Sequence, residues 1–266
     1  MLSVETLPTL AEAQSRMGGD VRYLAGGTLV MRDVNFAVPG IARILRTTDA
    51  ELGQIRSSGA RISIGAGVTM AQVMASAELG VLAPVAARIG GPAVRNMATV
   101  GGNLFAPHPY GDFATALLAL DARVQMAAGG EMPLADLLTR RETMPGLVAS
   151  VDFARPDPQA FRFSKVSRVK PKGVSVLCIA AHLPQSAGRI SGARVAYGAM
   201  GPHPMRATAV EQALEGARLD PSGIARALDV ASQGLTPPDD ALASGWYRSQ
   251  VAPVHLRRLL LNEGAT

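Results

Sequence analysis

The stretch Asn96-Met97-Ala98-Thr99-Val100-Gly101-Gly102-Asn103-Leu104 decides the fold of this chain, together with an earlier stretch, Leu24-Ala25-Gly26-Gly27-Thr28. Each stretch has two adjacent glycines flanked by apolar residues and a threonine. Glycine lacks a Cβ, so it reaches backbone conformations closed to other residues and lets a ligand approach the main chain. Successive exposed N–H groups form a concavity that binds anions, phosphates above all. We expect the two loops to hold the two phosphates of a dinucleotide from opposite sides.

Each Gly-Gly pair taken alone is also typical of an ordinary tight turn. Neither stretch has the Gly-x-Gly-x-x-Gly pattern, and the chain has no Gly-x-x-x-x-Gly-Lys-Ser/Thr pattern. The Rossmann and P-loop phosphate motifs are therefore not supported. No Gly-x-Ser-x-Gly elbow supports a hydrolase, and the histidines show no metal-ligand spacing.

The composition is that of a globular protein, with 48% hydrophobic and 18% charged residues in 266. No apolar run is long enough to span a bilayer. The first residues lack the basic and apolar regions of a signal peptide, so we expect a cytoplasmic protein. The single Cys178 excludes an internal disulfide. It also excludes a self-contained iron–sulfur cluster, which needs several thiolates.

Positive charge is concentrated between residues 158 and 210, which contain eight Lys and Arg and no Asp or Glu. Such a segment attracts a cofactor diphosphate, an acidic partner or nucleic acid, or it is simply a solvated face. No aromatic residues interleave with the basic ones as a stacking platform requires, so we do not expect nucleic-acid binding. The basic residues are Arg162, Lys165, Arg168, Lys170, Lys172, Arg189, Arg194 and Arg206.

Predicted strands and helices are mixed without regular alternation, which favours an α+β fold. The run Arg155-Pro156-Asp157-Pro158 disrupts regular pairing and predicts a domain boundary. We therefore predict a first domain over 1–157, with two subdomains split near residue 55, and a second over 158–266. The second is expected to have strands at 161–167, 174–183 and 190–199, then helices at 207–215, 221–233 and 244–261. In the first, we expect strands at 21–25, 41–46, 61–66 and 123–128, a helix capped by Thr69, another at 81–89, and a helix to Leu120 capped by Asp112.

The run from Ile89 to Asn96, the stretch Thr99–Asn103, and Asp112 opening an apolar helix resemble the flavin-binding medium subunit of the molybdenum hydroxylases. That family includes carbon monoxide dehydrogenase and xanthine dehydrogenase. The first glycine stretch resembles the family's first flavin loop. Two later runs, 201–207 and Trp246-Tyr247-Arg248, resemble its C-terminal domain. The resemblance covers nearly the whole chain.

The resemblance implies non-covalently bound FAD in a two-lobed FAD-binding domain. A C-terminal domain of a three-stranded antiparallel sheet and a three-helix layer follows. It implies no catalytic residue and no metal ligand in this chain. Lys165 aligns with a lysine that lies near the flavin, whereas Leu29 and Lys172-Gly173-Val174 depart from the family pattern. The cofactor-binding residues expected from it are Ala25, Gly26, Gly27, Thr28, Leu29, Thr99, Gly101, Gly102, Asn103, Asp112 and Lys165.

The resemblance also implies partners. A large subunit would hold the molybdenum cofactor, and a small subunit would hold iron–sulfur clusters. This chain would pass electrons from those clusters through FAD to a final acceptor, in a dimer of heterotrimers. Two alternatives stay open: a self-sufficient FAD-dependent oxidoreductase of similar fold, and a scaffold subunit that has lost its flavin. His108 is interpreted as a loop residue, and Cys178 as a buried packing residue.

Overall fold

The computed structural model describes residues 2–144, 146–169 and 173–263. Two of the basic residues, Lys170 and Lys172, lie outside the described residues. Lys172 is also the first residue of the run 172–174 that departs from the family pattern. The strands are β1 (Ser3–Leu7), β2 (Val21–Tyr23), β3 (Arg43–Thr47), β4 (Ile55–Ser58), β5 (Arg61–Gly65), β6 (Arg123–Met126), β7 (Glu131–Pro133), β8 (Val148–Ala154), β9 (Phe161–Ser167), β10 (Ser175–His182), β11 (Gln185–Ser186), β12 (Arg189–Ile190), β13 (Arg194–Gly198) and β14 (Met205–Arg206).

In the described residues, the helices include only two of more than seven residues, α7 and α11. They are α1 (Leu10–Ser15), α2 (Val30–Asn35), α3 (Met70–Ala75), α4 (Ala83–Ala87), α5 (Pro92–Met97), α6 (Val100–Leu104), α7 (Asp112–Ala119), α8 (Leu134–Arg140), α9 (Thr208–Leu214), α10 (Ala225–Asp229) and α11 (Gly245–Leu260). Short helices in water have little stability of their own, so most of these depend on packing.

The chain divides into two compact units, and each is discontinuous in sequence. The first comprises the residues up to Ala106 and Ala122–Ala154. The second comprises Pro107–Asp121 and the residues from Arg155 onward. The segment 107–121 was expected in a continuous first domain. It joins the second unit because α7, buried along its whole length, packs against β10 and β13.

The first unit contains two sheets. The parallel sheet has the order β1-β3-β2, and α1 packs on it around Leu10, Ala13 and Leu45. The antiparallel sheet has the order β4-β5-β8-β6-β7. The expected split near residue 55 falls at the first residue of β4. Thr69 caps α3 as expected, in a capping box with Gln72: Thr69 Oγ1 accepts from the Gln72 N–H at 3.2 Å, and Gln72 Oε1 accepts from the Thr69 N–H at 2.8 Å.

The second unit is built on an antiparallel sheet in the order β14-β13-β10-β9. Side chains alternate between the two faces of a strand. On one face, Leu177, Ile179 and Tyr197 join the apolar core formed with α9, α10 and α11. On the other face, Cys178 lies against α7. The sheet is therefore covered on both sides, which explains why β10 is buried at every residue except His182.

A glycine in β13 allows α7 to lie close to the sheet. A Cβ on Gly198 would come within 2.6 Å of both Cys178 Sγ and Thr115 Oγ1, closer than real Cβ atoms approach. Cys178 is fully buried there. Burial, together with the nearby Asp112 carboxylate, raises the pKa of the Cys178 thiol well above its usual value, so the thiol stays protonated.

The structure differs from the sequence-based layout of this unit in three places. The strand expected over 190–199 is divided into β12, which pairs with β11, and β13. The sheet gains a fourth strand, β14, which has two residues and is too short to give a periodic pattern. The helix expected over 221–233 is reduced to α10. There the segment before the helix is held by Asp220, whose carboxylate accepts from the Gly223 N–H at 2.8 Å. This side-chain bond offers the backbone a turn in place of another helical residue.

Candidate functional site

The first glycine loop follows β2 and leads into α2, and it carries a row of free backbone donors. Among the described residues, no acceptor is found for the N–H groups of Ala25, Gly26, Gly27, Thr28 and Leu29. Gly27 has φ +72°, in the left-handed region, and Leu29 is in the right-handed region; residues of both kinds in one turn are typical of anion-binding concavities. We call these five N–H groups the cradle. Unpaired backbone donors bind anions readily, because they otherwise rely on water.

The second glycine stretch was expected to be a loop. It is instead the five-residue helix α6. Its donors are used within the protein. Val100 N–H donates to Val68 O at 2.9 Å and Gly101 N–H to Ala66 O at 2.8 Å. Gly102 N–H donates to Thr99 Oγ1 at 3.0 Å, which makes Thr99 the N-cap. The expectation that both stretches offer free N–H groups is therefore wrong for the second one.

The four glycines of the two stretches differ in what a side chain would meet at each position. A Cβ on Gly26 would lie 1.6 Å from Met97 O, so this glycine lets the two stretches meet. A Cβ on Gly101 would lie 2.9 Å from Ala66 Cβ. Gly27 supplies the positive φ. A Cβ on Gly102 would meet only Thr99 Oγ1, at 3.0 Å, and Gly102 is exposed. Protein packing therefore explains two of the glycines, and Gly102 leaves an open surface.

Asp112 and Lys165 form a buried ion pair in the second unit. Asp112 Oδ2 lies 2.8 Å from Lys165 Nζ, and the lysine side chain is only 6% exposed. Ser175 Oγ donates to Asp112 Oδ1 at 2.6 Å. Asp112 is the first residue of α7, and Gly111 with φ +107° is its N-cap, so the expected capping role is wrong. The carboxylate lies inside the fold instead and has a charged partner.

A second buried network was missed from the sequence. Arg248 is fully buried, and its Nη2 atom donates to both carboxylate oxygens of Asp240, each at 2.8 Å. His108 Nε2 lies 2.8 Å from Asp240 Oδ2. Burial alone would raise the pKa of Asp240, but hydrogen bonds from His108, Arg248 and two backbone N–H groups outweigh it and hold that pKa well below its usual range. His108 is thus a structural partner, and the only sequence signal was the run that contains Arg248.

The basic segment 158–210 pairs with carboxylates of the second unit through Lys165, Arg194 and Arg206. Its acidic partners lie outside the segment, where a local charge count does not see them. The pairs and bonds are Lys165–Asp112, Arg194–Asp121 at 3.1 Å, Arg206 with Asp121 and Glu211, Arg162 with the carbonyls of Leu259 and Leu260, and Arg189 with the Gly216 carbonyl at 2.8 Å.

Within 2–144, 146–169 and 173–263, no three His, Cys, Asp or Glu side chains gather as a metal site would require. In the same ranges, every helix is too short or too polar to cross a bilayer.

Comparison with known proteins gives the family. The profile of the FAD binding domain in molybdopterin dehydrogenase matches residues 1–151, which are more than half of the chain. The profile of the CO dehydrogenase flavoprotein C-terminal domain matches residues 162–262. The chain belongs to the FAD-binding medium-subunit family of the molybdenum hydroxylases. The predicted family and the presence of an FAD-binding domain are thereby confirmed.

Several curated relatives are similar along most of their length. The chain is 29% identical over 258 residues to the 6-hydroxypseudooxynicotine dehydrogenase complex subunit alpha of Paenarthrobacter nicotinovorans, covering 91% of this chain and 86% of the relative. It is 26% identical over 264 residues to the carbon monoxide dehydrogenase medium chain of Hydrogenophaga pseudoflava, covering 92% and 90%. The predicted oxidoreductase class agrees with these relatives.

Solved structures share the fold. A carbon monoxide dehydrogenase chain from Hydrogenophaga pseudoflava superposes with a TM-score of 0.88 at 22% identity, covering 97% of this chain and 96% of that one. Quinoline 2-oxidoreductase from Pseudomonas putida 86 gives a TM-score of 0.87 at 24% identity, covering 98% and 96%. The predicted α+β class is confirmed at this level.

Proposed function

We propose that this chain is the FAD-binding subunit of a multi-subunit molybdenum hydroxylase and passes electrons from iron–sulfur clusters of a partner subunit to a final acceptor. The observation that carries the proposal is the cradle, a row of free N–H groups in a protein with the family's FAD-binding domain. When bound, FAD supplies chemistry that accepts single electrons and delivers two together. The protein supplies binding, orientation and electrostatics.

The cradle residues fit a diphosphate. The N–H groups of Ala25–Leu29 would donate to phosphate oxygens without displacing any protein bond, because those donors have no acceptor among the described residues. Leu29, where a polar residue was expected, takes part through its backbone alone. The intact glycine pairs, Asp112 and Lys165 also argue against a scaffold that has lost its flavin.

The other expected cofactor residues contribute in ways that remain predictions. Thr99 holds Gly102 in place through its cap, so Gly102 can offer an open surface to the cofactor, with Asn103 beside it. Asp112 already receives Lys165 and Ser175, but a carboxylate has about four acceptor sites and can still take a ribityl hydroxyl. Lys165 near the flavin would raise its potential, although the Asp112 partner reduces that effect.

The partner subunits follow from the chain's own composition and from its relatives. The single Cys178 is buried, so clusters that need several thiolates must lie in another chain. A large subunit with the molybdenum cofactor and a small iron–sulfur subunit supply the remaining parts, in a dimer of heterotrimers. A cytoplasmic location stays a prediction.

The test is a titration of the purified chain, and of its complex, with FAD, FMN and riboflavin. We expect FAD to bind much more tightly than FMN or riboflavin, which lack the full diphosphate. Gly102→Val should abolish FAD binding while the melting temperature changes little, because only Thr99 Oγ1 lies near the added Cβ.

Gly101→Val is the matched control. Its side chain would collide with Ala66, so it should lower the melting temperature whether or not FAD is present. Absence of FAD affinity in the wild-type chain, alone and in its complex, would contradict the proposal.

A further inference from the structure

The strand β10 contains a bulge near its start. Ser175 pairs with Ser167 of β9, whereas Leu177 pairs with Val166, so β10 advances two residues where β9 advances one. Val176 is the extra residue. Because side chains alternate between the two faces of a strand, one extra residue reverses the faces of the residues beyond it. Bulges that re-aim a side chain in this way are frequent beside functional sites.

The bulge turns Ser175 toward α7. In a regular strand Ser175 would share the face of Leu177, which lies in the apolar core with α9, α10 and α11. Instead, its Oγ donates to Asp112 Oδ1 at 2.6 Å on the face that α7 covers, where Ser175 is only 1% exposed. The other oxygen of Asp112 faces Lys165. Partners at both oxygens fix the direction in which the carboxylate can accept further hydrogen bonds.

The Arg248 side chain holds the bulge from the side of α11. Its Nε atom donates to Val176 O, the carbonyl of the extra residue, at 2.9 Å. Its Nη1 atom donates to the Pro238 carbonyl, and its Nη2 atom donates to both oxygens of Asp240. All three nitrogens of the guanidinium are therefore engaged. A planar fork of donors spans such separated acceptors, which a single ammonium group does not.

The same arginine also reaches the segment that leads into α7. Asp240 Oδ2 lies 2.8 Å from Nε2 of His108, and His108 is four residues before Asp112 in the chain. Arg248 therefore fixes two parts of the second unit that flank the Asp112 carboxylate: the start of β10, through the bulge, and the approach to α7, through Asp240.

We propose that Arg248 is a positioning residue for the flavin, which holds the β10 bulge so that Ser175 aims the Asp112 carboxylate at the cofactor. The inference rests on the proposed function, in which Asp112 accepts from a ribityl hydroxyl. Arg248 is fully buried, so it acts through Ser175 and Asp112 and not by contact with the cofactor. A purely structural role would affect the stability of the fold and leave the affinity for FAD unchanged.

The experiment measures FAD affinity by fluorescence titration of the purified chain, or of its complex, well below the melting temperature of every variant. Arg248→Lys keeps a positive charge beside Asp240, but one ammonium group does not also hold Val176 O. It should weaken FAD binding by about tenfold, the factor that one hydrogen bond to a charged group supplies. Ser175→Ala removes a single hydroxyl and should weaken FAD binding by a similar factor.

A double variant shows whether Arg248 acts through Ser175. In the Ser175→Ala background, Arg248→Lys should cause no further loss of FAD affinity, because the direction of residue 175 no longer matters. Leu256→Ala is the matched control, since Leu256 is fully buried on the same helix and belongs to the apolar core. It should lower the melting temperature and leave FAD affinity unchanged.

Three results would overturn the inference: losses that multiply in the double variant, unchanged FAD affinity in Arg248→Lys, or an equal loss in Leu256→Ala. If Arg248→Lys does not fold, Ser175→Ala decides, since unchanged affinity overturns the inference and a tenfold loss supports it. A wild-type chain without FAD affinity, alone and in its complex, would contradict the proposed function itself, and the inference would fail with it.

Discussion

At the scale of single residues, two buried polar groups differ in how they are satisfied. The Lys165 ammonium lies 2.8 Å from Asp112 Oδ2. The Tyr197 hydroxyl, by contrast, has no partner among the described side chains and backbone, and burial raises the pKa of Tyr197. A buried charge that loses its partner costs more than a buried neutral group that never had one, so the two sites predict opposite responses to substitution.

Lys165→Met should destabilise the fold by about 3 kcal/mol, since the Asp112 carboxylate would remain buried without its charged partner. Urea unfolding measures the change. The double variant Lys165→Met/Asp112→Asn should recover most of the loss, because the amide carries no charge. A loss below about 1 kcal/mol would show that water already reaches the pair and screens it.

Tyr197→Phe should stabilise the fold by about 1 kcal/mol, because it removes a buried hydroxyl without a hydrogen bond. The matched control is Tyr23→Phe. The Tyr23 hydroxyl lies 2.8 Å from Thr47 Oγ1, so its removal should destabilise by about 1 kcal/mol. Loss of stability in both variants would show that a bound water forms a hydrogen bond with the Tyr197 hydroxyl.

At the scale of elements, α11 depends on the connection before it. Ser244 caps the helix, and Arg248 on its first turns binds Asp240 in that connection. The Asp240 carboxylate also accepts from the Leu242 and Ala243 N–H groups, at 2.8 and 3.0 Å. One ionised side chain therefore fixes the connection to the start of the longest helix.

This arrangement predicts a stability that depends on acid pH. The folded-state pKa of Asp240 is lowered, so its contribution is complete above the unfolded pKa of about 4 and is lost as the pH falls below that value. Asp240→Asn should cost about 3 kcal/mol at pH 7, because Arg248 is left buried without its carboxylate. The difference from wild type should shrink between about pH 4 and pH 2. A constant difference across that range would show that folding does not lower the pKa of Asp240.

Local patterns in the sequence predicted elements whose causes are local. The strands β9 and β10 and the Thr69 cap were predicted from a few neighbouring residues each, and the structure has these elements. The row of donors in α6 could not be predicted, because its acceptors are Ala66 and Val68, which lie far back in the chain. The burial of Asp112 likewise depends on Lys165 and Ser175, distant residues that no local rule relates to it.

For the candidate site residues too, local sequence marked the position, whereas distant contacts decided the role. The glycine pairs marked both stretches, but only the structure separates Gly26, which packs against Met97 O, from Gly102, which faces open space. Asp240 had no distinguishing neighbours in the sequence. Its importance comes from nearby partners, Arg248 and the N–H groups of its own loop, and from His108, which lies 132 residues away along the chain.

At the scale of the whole molecule, the chain leaves the first unit after Ala106 and returns at Ala122. A fragment of residues 1–157 would therefore carry α7 without β10 and β13, and should aggregate because all of α7 is buried in the intact chain. The matched control joins residue 106 to residue 122 through a short glycine–serine linker and ends at 157. It should be more soluble, as sedimentation measures. Equal solubility would show that α7 finds cover within the fragment.

The placement of α7 also matters during translation. Its last residue, Ala119, leaves the ribosome well before Gly198, the last residue of β13. At about 5–20 residues per second, the nascent helix waits about 4–16 s for the strands that will cover it. Leu117, Leu118 and Phe113 stay uncovered for that time, so the nascent chain should be a client of ribosome-associated chaperones. Slowing synthesis between codons 120 and 198 would lengthen this vulnerable interval, and would therefore lower the yield of folded protein without altering one amino acid.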